Sequence, residues 1–477
     1  MNLDPDVCYR AARSRDARFD GRFFTGVLTT GIYCRPICPA KTPRRENVRY
    51  FACAAAAEEA GFRACRRCRA EAAPGTPPWL GTSATVARAL RLIDDGALER
   101  LDVEGLSSRL GLGGRQLRRL FGEQLGASPL AVDISRRLRL ARTLLDASAL
   151  SVTDIALASG FGSVRQFNDA MRRTFGATPS QLRRRGGAEG TGLTVRLSFR
   201  PPLAWAELLG FLERRVILGV EAIAAGVYRR TFRLRGRPAA LEVRRAAEGH
   251  ALLLTVQGDA ACDLQSLVRR TRRLFDLDAD PLAIAEGLGT SPRLAASIAR
   301  RPGLRLPGSW DPFEATVRAL LGQQVSVAAA TTLCGRLVAR HGEPAALGSG
   351  LDRLFPTAEA LAAADLAAIG LPAARAASLR SIARFAADGP ALFAAAPSLN
   401  DLIARLEALP GVGPWTAHYL AMRVFGEPDA FPSGDLALRR AAGGASAREL
   451  EALAEPWRPW RAYAAMHLWA IGQGDGR

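Results

Sequence analysis

The chain has 477 residues, 48% hydrophobic and 23% charged; this is globular composition, enough for about three domains, and it excludes wholesale disorder. Lys and Arg number 65 against 46 Asp and Glu, a formal charge of +19, and Lys41 is the single lysine; such a balance points to a polyanionic partner, nucleic acid first. Residues 1–18 lack the apolar core of a secretory signal, and no charge-free apolar run reaches the ~18 residues of a membrane span, so the expectation is a cytoplasmic protein with no membrane partner.

Two stretches divide the chain. Residues 72–82 are rich in Pro and Gly, and 183–192 are basic, then small; both read as linkers. They predict a head over 1–74, a middle part over 82–185 and a long C-terminal part. That part opens with strand-like alternation at Leu193, Val195, Leu197 and Phe199, with further strands expected over 227–234, 240–244 and 251–256. The expected fold class is multidomain and mainly α. It comprises a small four-cysteine zinc α/β head, a duplicated helix-turn-helix domain, a small α/β domain over 192–280 and an all-α domain over 281–477.

In the head, Cys34 and Cys38 form one close pair, Cys65 and Cys68 another. Two tight pairs joined by a longer loop can place four thiolates around one tetrahedral Zn²⁺. The first histidine of the chain is His250, so the local ligand choice is four cysteines. In a reducing compartment such a cluster means metal or chemistry rather than disulfides. Cys8, Cys53, Cys262 and Cys334 have no close partner and read as ordinary semi-buried thiols.

The strings Gly31-Ile32-Tyr33-Cys34-Arg35-Pro36-Ile37-Cys38 and Gly61-Phe62-Arg63-Ala64-Cys65-Arg66-Arg67-Cys68 resemble the N-terminal domain of the bacterial adaptive-response Ada family, over about residues 4–72. The resemblance implies that all four cysteines hold one zinc and that Cys34 accepts a methyl group from a DNA methylphosphotriester. Cys38, Cys65 and Cys68 would be structural ligands. Zinc keeps a thiolate deprotonated at neutral pH, and the thiolate is the nucleophile. Methylating one of four thiolates lowers the negative charge facing DNA phosphate, an electrostatic switch. A purely structural zinc knot is the alternative that the spacing alone leaves open.

The middle part contains an internal repeat. Arg115-Gln116-Leu117 recurs as Arg165-Gln166-Phe167, and Gly126-Ala127-Ser128-Pro129 as Gly176-Ala177-Thr178-Pro179. Each copy reads as an apolar helix, a Gly-containing turn and a basic helix, which is duplicated helix-turn-helix grammar. The expected recognition helices are 114–124, offering Arg115, Gln116, Arg118 and Arg119, and 163–174, offering Arg165, Gln166 and Asn168. Arg reads guanine, and Asn or Gln adenine, in the major groove. Leu117, Leu120, Phe121, Phe167 and Met171 should face the core. A generic helical bundle with a solvated Arg face is the alternative. Residues 163–179 are similar to the AraC/XylS regulators, which implies two recognition helices in successive major grooves, a promoter and RNA polymerase as partners.

In the C-terminal part, Leu409-Pro410-Gly411-Val412-Gly413-Pro414-Trp415-Thr416 predicts a tight turn with positive φ at Gly411 and Gly413. It delivers a helix N-terminus with bare N–H groups, a phosphate site without sequence information. Further on lies Asp435, either a catalytic carboxylate or the N-cap of a helix from Leu436, and the two roles are compatible. Together with Asp311-Pro312-Phe313-Glu314 and Leu321-Gly322-Gln323-Gln324-Val325-Ser326, these strings resemble 3-methyladenine DNA glycosylase II of the helix-hairpin-helix superfamily. The resemblance implies that Asp435 assists base departure, that Phe211, Trp415, Tyr419 and Trp469 form the base pocket, and that Gly411, Gly413 and Thr416 contact DNA. An aromatic cage would attract a cationic alkylpurine, though for any single ring core packing is the plainer reading. Gln324 stands where the family's duplex-filling wedge is apolar.

Composition narrows the chemistry. No lysine follows Lys41, which excludes a Lys Schiff base in this part. Cys262 and Cys334 are too few for a four-cysteine iron–sulfur cluster. The expected function is a fused methyl acceptor, transcription activator and monofunctional glycosylase acting on double-stranded DNA. A regulator whose tail only binds DNA, and an enzyme whose head only scans it, are the alternatives.

Overall fold

A computed structural model describes residues 4–74, 84–148, 150–183, 192–257, 263–345, 347, 350–389, 393 and 396–474. Most of both expected linkers, and Cys262, lie outside the described residues. The described residues are mainly helical and form two compact units. One gathers Met1–Pro201, Ala246–Arg269 and Leu277–Asp280, the other Pro202–Arg245, Arg270–Asp276 and Pro281–Arg477. The expected domain over 192–280 thus contributes to both. Among the described residues no helix is long and apolar enough to cross a membrane.

The first unit begins with helix Pro5–Ser14, capped by the Asp4 carboxylate. Strands β1 (Phe24–Val27), β2 (Ile32–Cys34), β3 (Val48–Phe51) and β4 (Arg63–Ala64) form a sheet in the order β3-β1-β2-β4, parallel only between β2 and β4. Phe24 meets Tyr33, and Phe51 meets Phe62, edge to face at 5.6 and 5.3 Å, a favoured geometry for aromatic pairs. Gly26 on β1 makes room for this packing, since a Cβ there would lie 2.7 Å from the Phe51 ring.

The helix-turn-helix part of this unit runs through helices Ala84–Asp94, Val103–Arg109, Gly114–Leu125, Pro129–Ala147, Val152–Ala158, Val164–Phe175 and Pro179–Leu182. The repeated Gly-Ala-Ser/Thr-Pro string is a stop followed by a start. Gly126 and Gly176 adopt left-handed φ of 70° and 63° and end the recognition helices. Ser128 and Thr178 then cap the next helices, with Pro129 and Pro179 in their first turns, the conformations those residue types favour. Leu117, Phe121, Phe167 and Met171 are fully buried, and Leu120 is half-buried. Strand Gly192–Ser198 pairs antiparallel with Ala251–Gln257, which accounts for the alternation from Leu193.

The second unit holds helix Trp205–Glu213 and an antiparallel meander of Glu221–Ala224, Val227–Leu234 and Arg237–Arg245. The short first strand has no counterpart among the expected ones. The rest is helical. Helix Pro312–Leu321, capped by Asp311, carries buried Glu314, whose carboxylate pairs with Arg230 and Arg318 at 2.7 Å each. Arg318 also pairs with Glu221 at 2.6 Å, and Tyr228 donates to Glu221 at 2.7 Å. Buried charges persist only when paired in this way, so the network fastens the meander to helix Pro312–Leu321.

Candidate functional site

The first site lies at one edge of the head. Cys34 ends β2, and Cys65 follows β4, its N–H donating to the Tyr33 carbonyl at 3.0 Å. Parallel pairing of β2 with β4 therefore brings the two cysteine pairs together. All four Sγ atoms lie within 4.8 Å of one another, and those of Cys38 and Cys65 are 4.0 Å apart. Zinc–sulfur bonds of about 2.3 Å put tetrahedral thiolates about 3.8 Å apart, so the cluster fits a zinc ion. The Arg35 N–H points at the Cys68 sulfur at 3.4 Å, and the Arg35 guanidinium forks onto buried Asp20. These contacts hold the turn from Cys34 to Cys38. Cys65 and Cys68 are buried, while Cys34 and Cys38 are half-exposed and line a cavity of about 550 Å³ rimmed by Lys41, Arg66 and Arg67.

The remaining described thiols differ. Burial pushes Cys8 up to about 12 and Cys53 and Cys334 up to about 11, which keeps them protonated and unreactive at neutral pH.

The recognition helices present Arg115, Gln116, Arg118, Arg119, Arg165 and Gln166 to solvent, with Asn168 half-buried. Arg118 reaches Glu104 at 3.0 Å and Arg119 reaches Glu123 at 3.3 Å. Exposed pairs of this kind are weak.

The second site centres on Asp435. Its Oδ1 accepts the N–H groups of Ala437 and Leu438 at 2.9 Å each, capping helix Leu436–Ala441. Oδ1 also accepts from the Trp469 indole at 3.1 Å, and Oδ2 from the Trp415 indole at 3.0 Å. The structure thus realises the N-cap and holds the carboxylate among the expected pocket rings. Trp415 stacks on Tyr419 at 5.3 Å and 13°, and Tyr419 meets Trp469 edge-on at 6.5 Å. Phe211 joins them through a cation: Arg423 sits 4.9 Å from its ring centroid and 5.6 Å from that of Tyr419. Arg215 lies over the same Phe211 ring. Neither arginine is signalled by a local motif.

These cations act on Tyr419. Burial alone would raise its phenol, but Arg423, Arg215 and Arg318 outweigh burial and bring it below its ordinary value. Arg423 donates to the Tyr419 hydroxyl at 2.9 Å. Burial in turn pushes Arg215 down to about 10.

The hairpin joins helices Leu399–Glu407 and Pro414–Arg423. Gly411 has φ 79° as expected, but Gly413 does not: its φ is −95° and its backbone is extended. Gly413 is the N-cap of the second helix and makes no side-chain cap, so the first N–H groups stay bare. Thr416 is buried and its Oγ1 accepts from Gln323 at 2.9 Å. That bond occupies the hydroxyl oxygen as an acceptor only. Gln323 also donates to the Gly411 carbonyl at 2.8 Å, which ties the following loop to the hairpin. At that loop's exposed tip Gln324 holds a left-handed φ of 58°.

Comparison with known proteins matches four successive stretches of the chain. Residues 7–71 match the metal binding domain of Ada, 106–185 a helix-turn-helix domain, 194–311 the AlkA N-terminal domain and 317–454 the HhH-GPD superfamily of base excision DNA repair proteins. The DNA-3-methyladenine glycosylase 2 of Escherichia coli is 35% identical over 281 residues, 57% of this chain and 95% of that protein. The bifunctional transcriptional activator/DNA repair enzyme Ada of the same organism is 34% identical over 224 residues, 47% of this chain and 59% of that one. Among solved structures, the 3-methyladenine DNA glycosylase of Archaeoglobus fulgidus shares the fold, with a TM-score of 0.52, 21% identity, and coverage of 58% of this chain and 98% of its own. A Mycobacterium tuberculosis protein described as a probable bifunctional transcriptional activator/DNA repair enzyme AlkA is 44% identical over 481 residues, 98% of this chain and 97% of that protein, and the chain accordingly belongs to the family of bifunctional transcriptional activator/DNA repair enzymes.

Proposed function

We propose that the chain couples a single-use methyl acceptor to a promoter-binding switch and a turnover glycosylase, all acting on double-stranded DNA in the cytoplasm. The observation that carries the glycosylase reading is the grip of Trp415 and Trp469 on Asp435. Two indole donors and a helix N-terminus fix the carboxylate in place beside stacked rings. An alkylated base such as 3-methyladenine, flipped from the duplex, stacks against Trp415 and Tyr419. As the N-glycosidic bond breaks, positive charge develops on the sugar, and Asp435 stabilises it or orients the water that adds to C1′. The cationic base departs with the bonding electron pair as a neutral molecule, the adding water gives up its proton to Asp435 or to solvent, and an abasic site remains; the enzyme is monofunctional. The bare N–H groups after Gly413 take a backbone phosphate.

In the head, one zinc would bind Cys34, Cys38, Cys65 and Cys68 and supply thiolate character. Half-exposed Cys34 attacks the methyl carbon of a phosphotriester: an S–C bond forms, the C–O bond breaks, and a phosphodiester anion leaves. The methylated head and the two recognition helices then bind a promoter and engage RNA polymerase. No iron–sulfur cluster takes part.

Base release from methylated duplex DNA by wild type and by Asp435→Asn tests the glycosylase. Release by the first and its loss in the second is expected; a folded wild type that releases nothing overturns the reading. Mass spectrometry of Cys34 after exposure to phosphotriester DNA tests the acceptor, with one added methyl group expected there.

A further inference from the structure

The head does more than touch the helix-turn-helix part: it holds the equivalent turn of both repeats. At the first repeat, Ala56 of helix Ala54–Glu59 lies 3.5 Å from where a Cβ on Gly126 would stand. The thiol of Cys53, the residue capping that helix, points to the Leu125 carbonyl at 3.6 Å. Glu59, at the other end, accepts from the Ser128 N–H at 3.2 Å and from its hydroxyl at 2.9 Å. At the second repeat, Arg66 donates to the carbonyls of Phe175 and Gly176 at 3.2 and 3.1 Å. The far end of helix Ala54–Glu59 thus holds Ser128, the N-cap of the following helix, while its first turn and the turn between Cys65 and Cys68 meet the C-terminal ends of both recognition helices.

These ends carry unsatisfied carbonyls and the negative pole of the helix, so a guanidinium there is well placed. The base-reading faces are untouched, since Arg115, Gln116, Arg165 and Gln166 remain exposed. The contacts therefore do not block DNA; they fix where one recognition helix stands relative to the other. In a tandem reader that separation decides which spacing of two DNA elements is accepted, with about 10 base pairs per helical turn as the unit.

We propose that the head is a brace that sets the distance and phase between the two recognition helices, with Arg66 and Glu59 as its positioning residues. The inference rests on the reading of the repeats as DNA readers. Because Arg66 lies inside the turn between Cys65 and Cys68, the brace and the thiolate cluster are one mechanical piece. Sequence choice would then depend on the head even where the head touches no base.

The test is in vitro selection from a random duplex library with the full chain, before and after methylation by phosphotriester DNA. Wild type should enrich two short elements at one sharp spacing. The double variant Glu59→Ala with Arg66→Ala should enrich the same elements over several spacings and bind the wild-type site roughly tenfold more weakly, as loss of charge-assisted contacts implies. Arg66→Lys in an otherwise unchanged chain keeps a cation at the helix end and should preserve the sharp spacing. It also serves where the double variant fails to fold, because broad spacing in a folded Arg66→Gln chain but not in Arg66→Lys gives the same answer. A folded double variant, or a folded Arg66→Gln chain, that keeps the wild-type spacing overturns the brace alone. Enrichment of no element by wild type overturns the DNA-reader assignment and the brace with it.

Discussion

The guanidinium of Arg215 lies 3.7 Å from the ring centroid of Phe211. A ring expected to receive a cationic base is already stacked by a cation of the protein itself, and Arg423 adds a second nearby. The pocket's aromatic faces are therefore divided: Phe211 faces internal arginines, while Trp415 and Tyr419 stack on each other beside Asp435.

Replacing Arg215 by Ala should have two effects. Loss of a desolvated cation–π contact should lower unfolding free energy by about 1–2 kcal/mol, read by denaturant titration. Loss of its positive charge should move the Tyr419 phenol upward, read by alkaline absorbance titration with Tyr419→Phe as the assignment control. An unmoved tyrosine titration would assign the control to Arg423 and Arg318.

The helix cap made by Asp435 and its proposed part in base release can be separated. Asn caps a helix about as well as Asp, whereas Ala does not, a difference of about 1 kcal/mol. Asp435→Asn should therefore unfold like wild type yet lose about 10²–10³ in base release. Asp435→Ala should lose activity to the same degree and stability as well. Equal destabilisation by both variants would mean that the indole contacts, not the cap, dominate the folded-state role.

Gln324 holds a left-handed backbone at an exposed tip. Such a conformation costs a non-glycine residue about 1 kcal/mol. Gln324→Gly should raise stability by up to about that amount while slowing base release, because the resemblance implies that this side chain enters the duplex. Gln324→Leu should speed release at unchanged stability, since an apolar side chain fills the gap better. Equal rates for all three chains would remove position 324 from the duplex.

His467 is buried, its Nδ1 3.0 Å from the Ser297 hydroxyl. Burial first, and Arg301 second, lower it from 6.5 to about 4. Between these values the unfolded chain binds a proton that the folded chain refuses, so stability is complete above pH 6.5 and falls as pH drops toward 4. At 1.36 kcal/mol per pH unit, the loss approaches about 3 kcal/mol. His467→Gln keeps a polar partner for Ser297 and should flatten this slope, measured as denaturant midpoints at about pH 7 and about pH 4.5. A variant with the wild-type slope would assign the loss to other groups.

Local spacing made much of this legible. The two cysteine pairs, the duplicated Gly-Ala-Ser/Thr-Pro turns and the hairpin string each encode a short piece of backbone, and each folds as its residues require. What was not legible depends on contacts between distant segments. Trp415 and Trp469 reach Asp435 across 20 and 34 residues, and no periodicity announces that both indole N–H groups converge on one carboxylate. Arg215 reads as one more polar residue after helix Trp205–Glu213. Thr416 lies inside a strong motif, yet nothing local announces that its hydroxyl oxygen accepts from Gln323, 93 residues earlier in the chain. The glycine at 413 shows the limit of residue-type reasoning, since it caps a helix with extended backbone rather than supplying a positive φ.

The cap made by Asp435, set beside its proposed part in base release, also bears on how such a domain could decay. Ser, Thr and Asn all cap helices well, so once selection for base release relaxed, drift at this position would be nearly free for the fold, and the indoles above it would lose their reason to stay. A tail retained only for holding DNA has no need of an anion at 435. The carboxylate gripped by two tryptophans is what the proposed base release, and not the holding of DNA, would call for at this position.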